Sequence, residues 1–398
     1  MTDARPAIKL RPKTDPRRIR RGFPWVYANE LVTDRRTRSL APGTIATLMD
    51  GSGGSVATVA VNPNSRIFAR VLDRSPEASI DGEWLAVRIG RALSLREKLY
   101  DAPYYRLVHA EGDGMPGVVA DRFGEVVVVQ PNAFWAETML GDIQAVLSDI
   151  PGVTTIYKSA SGRARALEGL DNESRILSGV LSGPVPVPMN GATYMADIEG
   201  GQKTGLFYDQ RPNHAFAAGL SKGKEVLDVF SHVGGFALAA LAQGATRALS
   251  VDGSEAALTL ARQGAEASGV ADRFETRTSD AFDALLALAS EGRRFGTVIC
   301  DPPAFAPAKP ALDAGLRAYE KVARLAAPLV EEGGTLTLCS CSHAADLAQF
   351  RTASLRGIGR AGRSSQLLRT GFAGPDHPQH PQLAESGYLK ALTFRLWS

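Results

Sequence analysis

After residue 186 the chain alternates short apolar strands with helices, before it the text is richer in strands and turns, and a glycine turn separates the first strong C-terminal strand from an Ala/Leu-rich helix. These observations predict an α/β chain: a seven-stranded, doubly wound sheet over 186–398, preceded by a small β-rich module over 1–75 and a central α+β domain over 76–185. A length of 398 residues accommodates three cores, and 44% hydrophobic with 22% charged residues is a globular composition. No run of about eighteen apolar residues occurs, and the basic N-terminus has no apolar core behind it. Neither a membrane span nor a secretory signal is expected, and a cytoplasmic location is.

The β-rich module is read from strands at Ile8 to Leu10, Thr44 to Met49, Ser55 to Val61 and Ile67 to Leu72. Net charge is only +3, yet basic residues including Arg17, Arg18, Arg20 and Arg21 crowd the first forty positions, directly before Phe23-Pro24-Trp25-Val26-Tyr27. Guanidinium groups beside aromatic rings suit RNA, where phosphates pair and bases stack. A solvated basic face with core aromatics explains the same letters. The central domain is read as a charged helix (Trp84 to Tyr100), strands at Gly117 to Ala120 and Val126 to Gln130, a helix at Ala136 to Leu147 and a strand at Thr154 to Lys158. It offers neither a metal-ligand cluster nor a nucleophile with a base, so its role is spacing or substrate positioning.

A proline-rich link, Gly183 to Pro188, leads to the sheet domain. Before the first sheet strand, the polar, glycine-rich segment Asp197 to Arg211 reads as a binding loop: Lys203 or Arg211 can pair with a carboxylate and Asp209 with an ammonium. A solvated hairpin is the plainer reading. Expected strands are Val226 to Phe230, Ala248 to Val251, Phe274 to Thr278, Thr297 to Cys300, Thr335 to Cys339, Gln366 to Thr370 and Tyr388 to Leu396. The first breaks into Ser231-His232-Val233-Gly234-Gly235, and Val251-Asp252 closes the second. A glycine turn after a buried parallel strand lets the backbone approach a ligand, and an acid ending the next strand can accept both ribose hydroxyls. No Gly-x-Gly-x-x-Gly or Gly-Lys-Ser/Thr is present, so a dinucleotide or nucleoside triphosphate fits poorly. S-adenosylmethionine, a nucleoside without phosphate, fits better.

Asp301-Pro302-Pro303-Ala304-Phe305 follows the fourth strand, at the carboxyl edge where open α/β sheets bind ligands. Two prolines fix φ and remove two amide donors, leaving carbonyls and a carboxylate to face a flat polar ring. An ordinary strand-ending turn would look the same in isolation. The three cysteines, Cys300, Cys339 and Cys341, are too few for a disulfide framework or a four-cysteine zinc site, and no metal is expected. Cys339-Ser340-Cys341-Ser342 ends the fifth strand. A thiolate there can add to C6 of a cytosine and turn the inert C5 into a nucleophile. Alternation puts Cys339 and Cys341 on one face, but Cys341 lies further into the loop, where a thiol can be exposed. Cys300 and Cys339 are expected in the core.

Together these pieces resemble the bacterial class I methyltransferases that form 5-methylcytosine in large-subunit ribosomal RNA (the RlmI type). The likeness spans nearly the whole chain: Arg21 to Tyr27 resembles the start of the family's PUA domain, and Tyr105-Arg106-Leu107, Glu111 to Gly117 and Asp121 to Gly124 resemble its central domain. Gly201 to Gly205 with Asp209-Gln210-Arg211 is the most distinctive element. The resemblance implies a PUA-like RNA-binding module, a central α+β domain and a Rossmann-like methyltransferase domain. It implies S-adenosylmethionine as cofactor and 23S ribosomal RNA, or a large-subunit assembly intermediate, as partner, with a homodimer left open.

Carried over by position, Phe230, Ser231, His232 and Gly234 would line the methionine part of the cofactor, Asp252 its ribose, and Asp280 with Ala281 its adenine. Lys203, Asp209, Gln210, Arg211, Asp228, Ser254 and Asp301 complete the cofactor side. Cys341 matches the nucleophile of the family's Ser-Cys-Ser, and Asp301 would hydrogen-bond the pyrimidine edge. Arg17, Arg18, Arg20, Arg21, Trp25, Pro302, Pro303 and Phe305 are the expected RNA contacts. Many RNA cytosine-5 methyltransferases carry a second cysteine after the proline of the acid loop; here Ala304 stands there, and removal of the C5 proton lacks an assigned base. At His232 the family often has a tyrosine. Two other readings stay open: methylation of an exocyclic base amine by the Asp-Pro-Pro-aromatic loop without a thiol, and a non-catalytic RNA-binding assembly factor.

Overall fold

The computed structural model describes residues 5–201 and 205–398, which form two compact units. One holds the chain up to Ser182 together with Pro375–Ser386; the other holds Gly183–Gly374 and Gly387–Ser398.

The first unit contains two five-stranded sheets. In one the strands run, side by side, Ala7–Lys9, Ile45–Met49, Ser55–Val61, Ile67–Asp73 and Trp25–Tyr27. The first four were legible in the sequence; the fifth is the aromatic stretch, which pairs antiparallel with Ile67–Asp73. Val26 is fully buried while Trp25 and Tyr27 stay half-buried, as strand alternation requires. The other sheet runs Arg175–Ser178, Thr155–Lys158, Val126–Pro131, Val118–Phe123 and Tyr104–His109, with the helix Gly82–Leu99 contributing Leu85, Ile89 and Ala92 to the same core. Its two outermost strands are absent from the sequence reading.

Residues 375–386, expected within the C-terminal domain, group instead with this first unit. The reason is a buried polar anchor: Asp376 accepts the Arg106 backbone N–H on Oδ2 (3.0 Å), and its carbonyl accepts Arg96 Nη2 (2.7 Å). His109 and His377 meet nearby in a tilted contact, 4.9 Å between ring centroids.

The second unit is a seven-stranded sheet: β1 (Glu225–Val229), β2 (Arg247–Asp252), β3 (Phe274–Thr278), β4 (Phe295–Cys300), β5 (Val330–Ser340), β6 (Ser364–Gly371) and β7 (Lys390–Trp397), in the order β3-β2-β1-β4-β5-β7-β6. The first five are parallel and β7 runs antiparallel to both β5 and β6. Helices α1 (Arg211–Gly219), α2 (Gly235–Ala242), α3 (Glu255–Ala267), α4 (Ala281–Ser290), α5 (Leu312–Ala326) and α6 (Leu347–Arg360) accompany it. Helix α2 buries every residue from Phe236 to Leu241, which explains why its sequence is apolar all round. The expected link at Gly183 to Pro188 is mostly a strand, Val185–Met189, paired with Ala192–Ala196. Its prolines lie at the exposed alternate positions 186 and 188, while Val187 and Met189 are buried, the pattern an edge strand tolerates. Among the described residues no helix is long and apolar enough to cross a membrane.

Strand order reverses at β1, which has β2 on one side and β4 on the other. Such a switch opens a crevice at the carboxyl ends. Register then decides what faces it: Val229 pairs with Val251 and with Cys300, and Cys300 pairs with Leu338. Phe230 and Asp301 directly after their strands, Asp252 at the end of β2 and Cys341 just past β5 therefore lie along one edge of the sheet.

Candidate active site

The turn after β1 is conformationally demanding. Phe230 and His232 adopt φ of 62° and 50°, and Gly234 follows at 80°. Side chains rarely accept this region, so two non-glycine residues held there mark a locally imposed geometry. Two strand-edge bonds impose it: Ser231 N–H donates to Val251 O (3.1 Å), and His232 N–H donates to Asp252 Oδ2 (2.9 Å). The other oxygen of Asp252 accepts Ser254 N–H (2.9 Å), so two amides orient the carboxylate, which stays partly exposed. Ser254 itself caps α3, its Oγ accepting Ala257 N–H. The Ser231 hydroxyl is buried and finds no hydrogen-bond partner among the described residues. That vacancy for a polar contact, beside an amide-held carboxylate, fits a nucleoside-bearing cofactor.

Asp228, expected on the cofactor side, is fully buried, and its Oδ2 accepts Ala237 N–H (3.0 Å) in the first turn of α2. Its geometry is that of a helix support. Burial, reinforced by the charge of Asp252, pushes its carboxyl up to about 7. After β3, Asp280 caps α4 by accepting the N–H groups of Phe282 and Asp283, and Ala281 is buried. Phe282 stacks on Phe305 (6.4 Å between centroids, 27° between planes) and meets Phe230 edge-on at 6.5 Å. These rings come from two loops and the first turn of α4, and the sequence reading missed Phe282; its place two residues after a helix-capping aspartate was the available signal.

The acid loop and the cysteine loop are fastened together. Ala306 N–H donates to Ser342 Oγ (2.9 Å), and Ala344 N–H donates to Ala306 O (3.3 Å). Pro302 is buried and Pro303 exposed, while Asp301 and Phe305 are partly exposed. Tyr319 from α5 hydrogen-bonds both Ser340 Oγ (2.9 Å) and Ser342 Oγ (2.7 Å). Between those serines, Cys341 is partly exposed, whereas Cys300 and Cys339 are at most 1% exposed. Burial, together with nearby carboxylates, drives both inner thiols far above the ordinary cysteine range. Strand β5 ends at Ser340, so Cys341 leaves the pleat, and the alternation that grouped it with Cys339 no longer applies.

Of the binding loop, Lys203 lies outside the described residues. Asp209 is nearly buried and its Oδ2 accepts the Tyr388 hydroxyl (2.6 Å). Gln210 Oε1 accepts Asn213 Nδ2 (2.7 Å), while its buried Nε2 has no hydrogen-bond partner among the described residues. Arg211 opens α1 with its guanidinium 5.4 Å from the centre of the Tyr208 ring, and Phe207 tilts against His232 at 5.2 Å. Tyr388 and Lys390 were also missed, both reached through β7 and its approach. In the first unit, Arg17, Arg20 and Arg21 are exposed; Arg18 pairs with Glu30 (2.7 Å) and covers Phe23 at 4.4 Å, and Arg20 pairs with Asp50 (3.0 Å). Trp25 donates its indole N–H to Glu111 (2.8 Å), so its polar edge is already engaged.

Comparison with known proteins agrees with this construction. Residues 8–74 match a PUA-like domain and residues 105–395 match the S-adenosylmethionine-dependent methyltransferase family. The chain is 33% identical over 404 residues to ribosomal RNA large subunit methyltransferase I of Vibrio cholerae, covering 100% of both chains. It is 33% identical over 408 residues to the ribosomal RNA large subunit methyltransferase of Deinococcus radiodurans, covering 98% of each. In fold it is similar to a putative SAM-dependent methyltransferase from Streptococcus mutans (TM-score 0.82, 19% identity, 98% of this chain and 100% of that one). A putative methyltransferase crystallised with SAH gives the same TM-score of 0.82 at 20% identity, covering 98% of this chain and 99% of that one. A Rossmann-like sheet with an amide-held acid at its switch point, joined to a PUA-like module, thus belongs to a chain of the S-adenosylmethionine-dependent methyltransferase family, the family of its full-length relatives named ribosomal RNA large subunit methyltransferase I.

Proposed function

We propose that this protein methylates C5 of a cytosine in large-subunit (23S) ribosomal RNA, free or in an assembly intermediate, in the cytoplasm. The observation that carries the reading is the difference between the three cysteines: only Cys341 is accessible, and it lies in a loop fastened to the Asp301 loop. The names of the full-length relatives support ribosomal RNA as substrate, and the PUA-like domain supports an RNA-binding role for the first unit.

When bound, S-adenosylmethionine supplies an electrophilic methyl group. Asp252, with both oxygens already oriented by amides, holds the ribose hydroxyls, and the Ser231 hydroxyl and the turn through Gly234 border the methionine end. Phe282 and Phe230 offer apolar surface to the adenine side, where Asp280 and Ala281 begin α4. Asp301 hydrogen-bonds the pyrimidine edge, and the exposed Pro303 with the partly exposed Phe305 gives the base a surface to lie on, while Pro302, expected as an RNA contact, is buried behind them. The Cys341 thiolate forms a bond to C6, which makes C5 nucleophilic. C5 takes the methyl group, which S-adenosylmethionine would give up to become S-adenosylhomocysteine; the C5 proton then leaves to a base, the C5–C6 double bond re-forms and the Sγ–C6 bond breaks, returning the thiolate.

Wild type and Cys341→Ala are incubated with unmodified ribosomal RNA and methyl-labelled S-adenosylmethionine, and labelled nucleosides are identified by mass spectrometry. Label in 5-methylcytidine that disappears in the variant is expected. Labelled N-methyl purine that survives the substitution refutes the covalent reading in favour of exocyclic amine methylation, and no label in any nucleoside with wild type leaves a binding role.

A further inference from the structure

The mechanism above asks Cys341 to be a thiolate near neutral pH, where an ordinary cysteine is mostly protonated. Strand β7 supplies a charge suited to that demand. Its antiparallel register sets Lys390 directly opposite Ser340, the residue before Cys341. The Lys390 side chain is only 5% exposed, and its Nζ donates to Ser342 O (2.7 Å) and Ala345 O (2.7 Å). A lysine this buried ordinarily pairs with a carboxylate. Here the hydrogen-bond partners are two carbonyls of the cysteine loop, and they occupy two of the ammonium's three donors.

We propose that Lys390 is a positioning residue for the nucleophile: its ammonium clamps the loop from Ser342 to Ala345 and holds the Cys341 sulfur as a thiolate. This inference rests on the covalent reading for its purpose, though not for its measurement. Among the described residues, the charged and titratable groups brought to the loop are Asp301 from the end of β4, Tyr319 from α5, His343 and Asp346 from the loop itself, and Tyr388 with its partner Asp209. Among these described residues Lys390 brings the ammonium. Burial pulls its ammonium below the ordinary lysine range, while the Cys341 sulfur and the Asp346 carboxylate act in the opposite direction. The attraction is mutual: a thiolate that favours the ammonium is favoured by it. Thiol ionisation sends the Sγ proton to solvent and needs no further reactant.

The test follows alkylation of Cys341 by iodoacetamide against pH, without RNA, reading the Cys341 peptide by mass spectrometry; Cys300 and Cys339 are buried and serve as internal controls. In Lys390→Met the apparent thiol pKa should rise by about one to two pH units, and methylation at pH 7 should fall about tenfold and recover toward pH 9. Lys390→Arg should stay close to wild type in thiol pKa. An unchanged thiol profile in a folded Lys390→Met overturns the proposal, even if activity falls at every pH. Should that variant not fold, Asp346→Asn carries the test, because it keeps a helix-capping side chain and removes the carboxylate that shares the ammonium. Alkylation at pH 7 should then accelerate roughly two- to threefold, and an unchanged rate overturns the idea. A Cys341→Ala protein that still methylates RNA would instead refute the covalent reading and leave the Lys390 effect on the thiol standing.

Discussion

Replacing Asp228 by Asn should make the protein more stable at pH 8 and nearly leave it alone at pH 4. The side chain is fully buried, with one oxygen on Ala237 N–H and the other, Oδ1, without a hydrogen-bond partner among the described residues. Burial is the chief cause that lifts its carboxyl from 3.8 to about 7, and the charge of Asp252 adds to it. Between those values the folded protein binds the proton and the unfolded chain does not. Stability therefore falls as pH rises through the window from about 4 to about 7, the reverse of a salt-bridged carboxylate. At about 1.36 kcal/mol per pH unit, the loss approaches roughly 4 kcal/mol, an upper figure because a relaxing site admits water. Asparagine keeps the acceptor for Ala237 and cannot ionise, so its contribution is flat. The assay is urea denaturation of both proteins from pH 4 to pH 8 without cofactor, comparing midpoints for the second unit. Parallel pH profiles, or a variant less stable than wild type at pH 8, would refute the reasoning and mean that the ionised carboxylate stabilises α2.

Three further outcomes are expected. Tyr319→Phe removes a hydroxyl shared by Ser340 and Ser342, both buried, and should cost about 2 kcal/mol of stability in chemical denaturation, with a lower kcat and an unchanged cofactor Kd. Gly234→Ala forces a side chain into φ of 80° and should lose about 1–2 kcal/mol, visible as a lower Tm. In the first unit, Arg17→Glu with Arg21→Glu should weaken RNA binding and reduce the slope of log K against log salt by roughly 0.7 to 0.9 for each phosphate no longer neutralised, measured by filter binding from 50 to 200 mM salt; an unchanged slope removes these arginines from the interface.

Much of this architecture is local and therefore legible. Strands β1, β2 and β4 carry short apolar stretches bounded by turns, and α3 and α4 begin at Ser254 and Asp280, side chains whose capping role needs only residues two or three positions away. The carboxyl-edge location of Phe230, Asp252, Asp301 and Cys341 follows from the same pattern, because parallel strands joined by helices must end on one side. The family resemblance added the cofactor and the RNA partner.

Other features needed the fold. Whether Trp25 to Tyr27 is a strand depends on Ile67–Asp73 lying alongside it, and whether Val185–Met189 is a link or a strand depends on its partner hairpin arm. Asp228 reads as a ligand acid beside a glycine turn, and becomes a helix support only when α2 folds back over β1. Residues 375–386 leave the sheet domain's unit because Asp376 finds Arg96 and Arg106 across more than 260 positions of sequence. Cys339 and Cys341 differ in exposure because β5 ends between them, and the lysine opposite Ser340 is set by the register of β7. Periodicity and caps are short-range preferences of the backbone, so most elements and the carboxyl edge of the sheet could be read from the letters alone. Burial, register and the sharing of polar groups between distant segments depend on which strands become neighbours, and neighbours far apart in sequence exist in the folded chain alone.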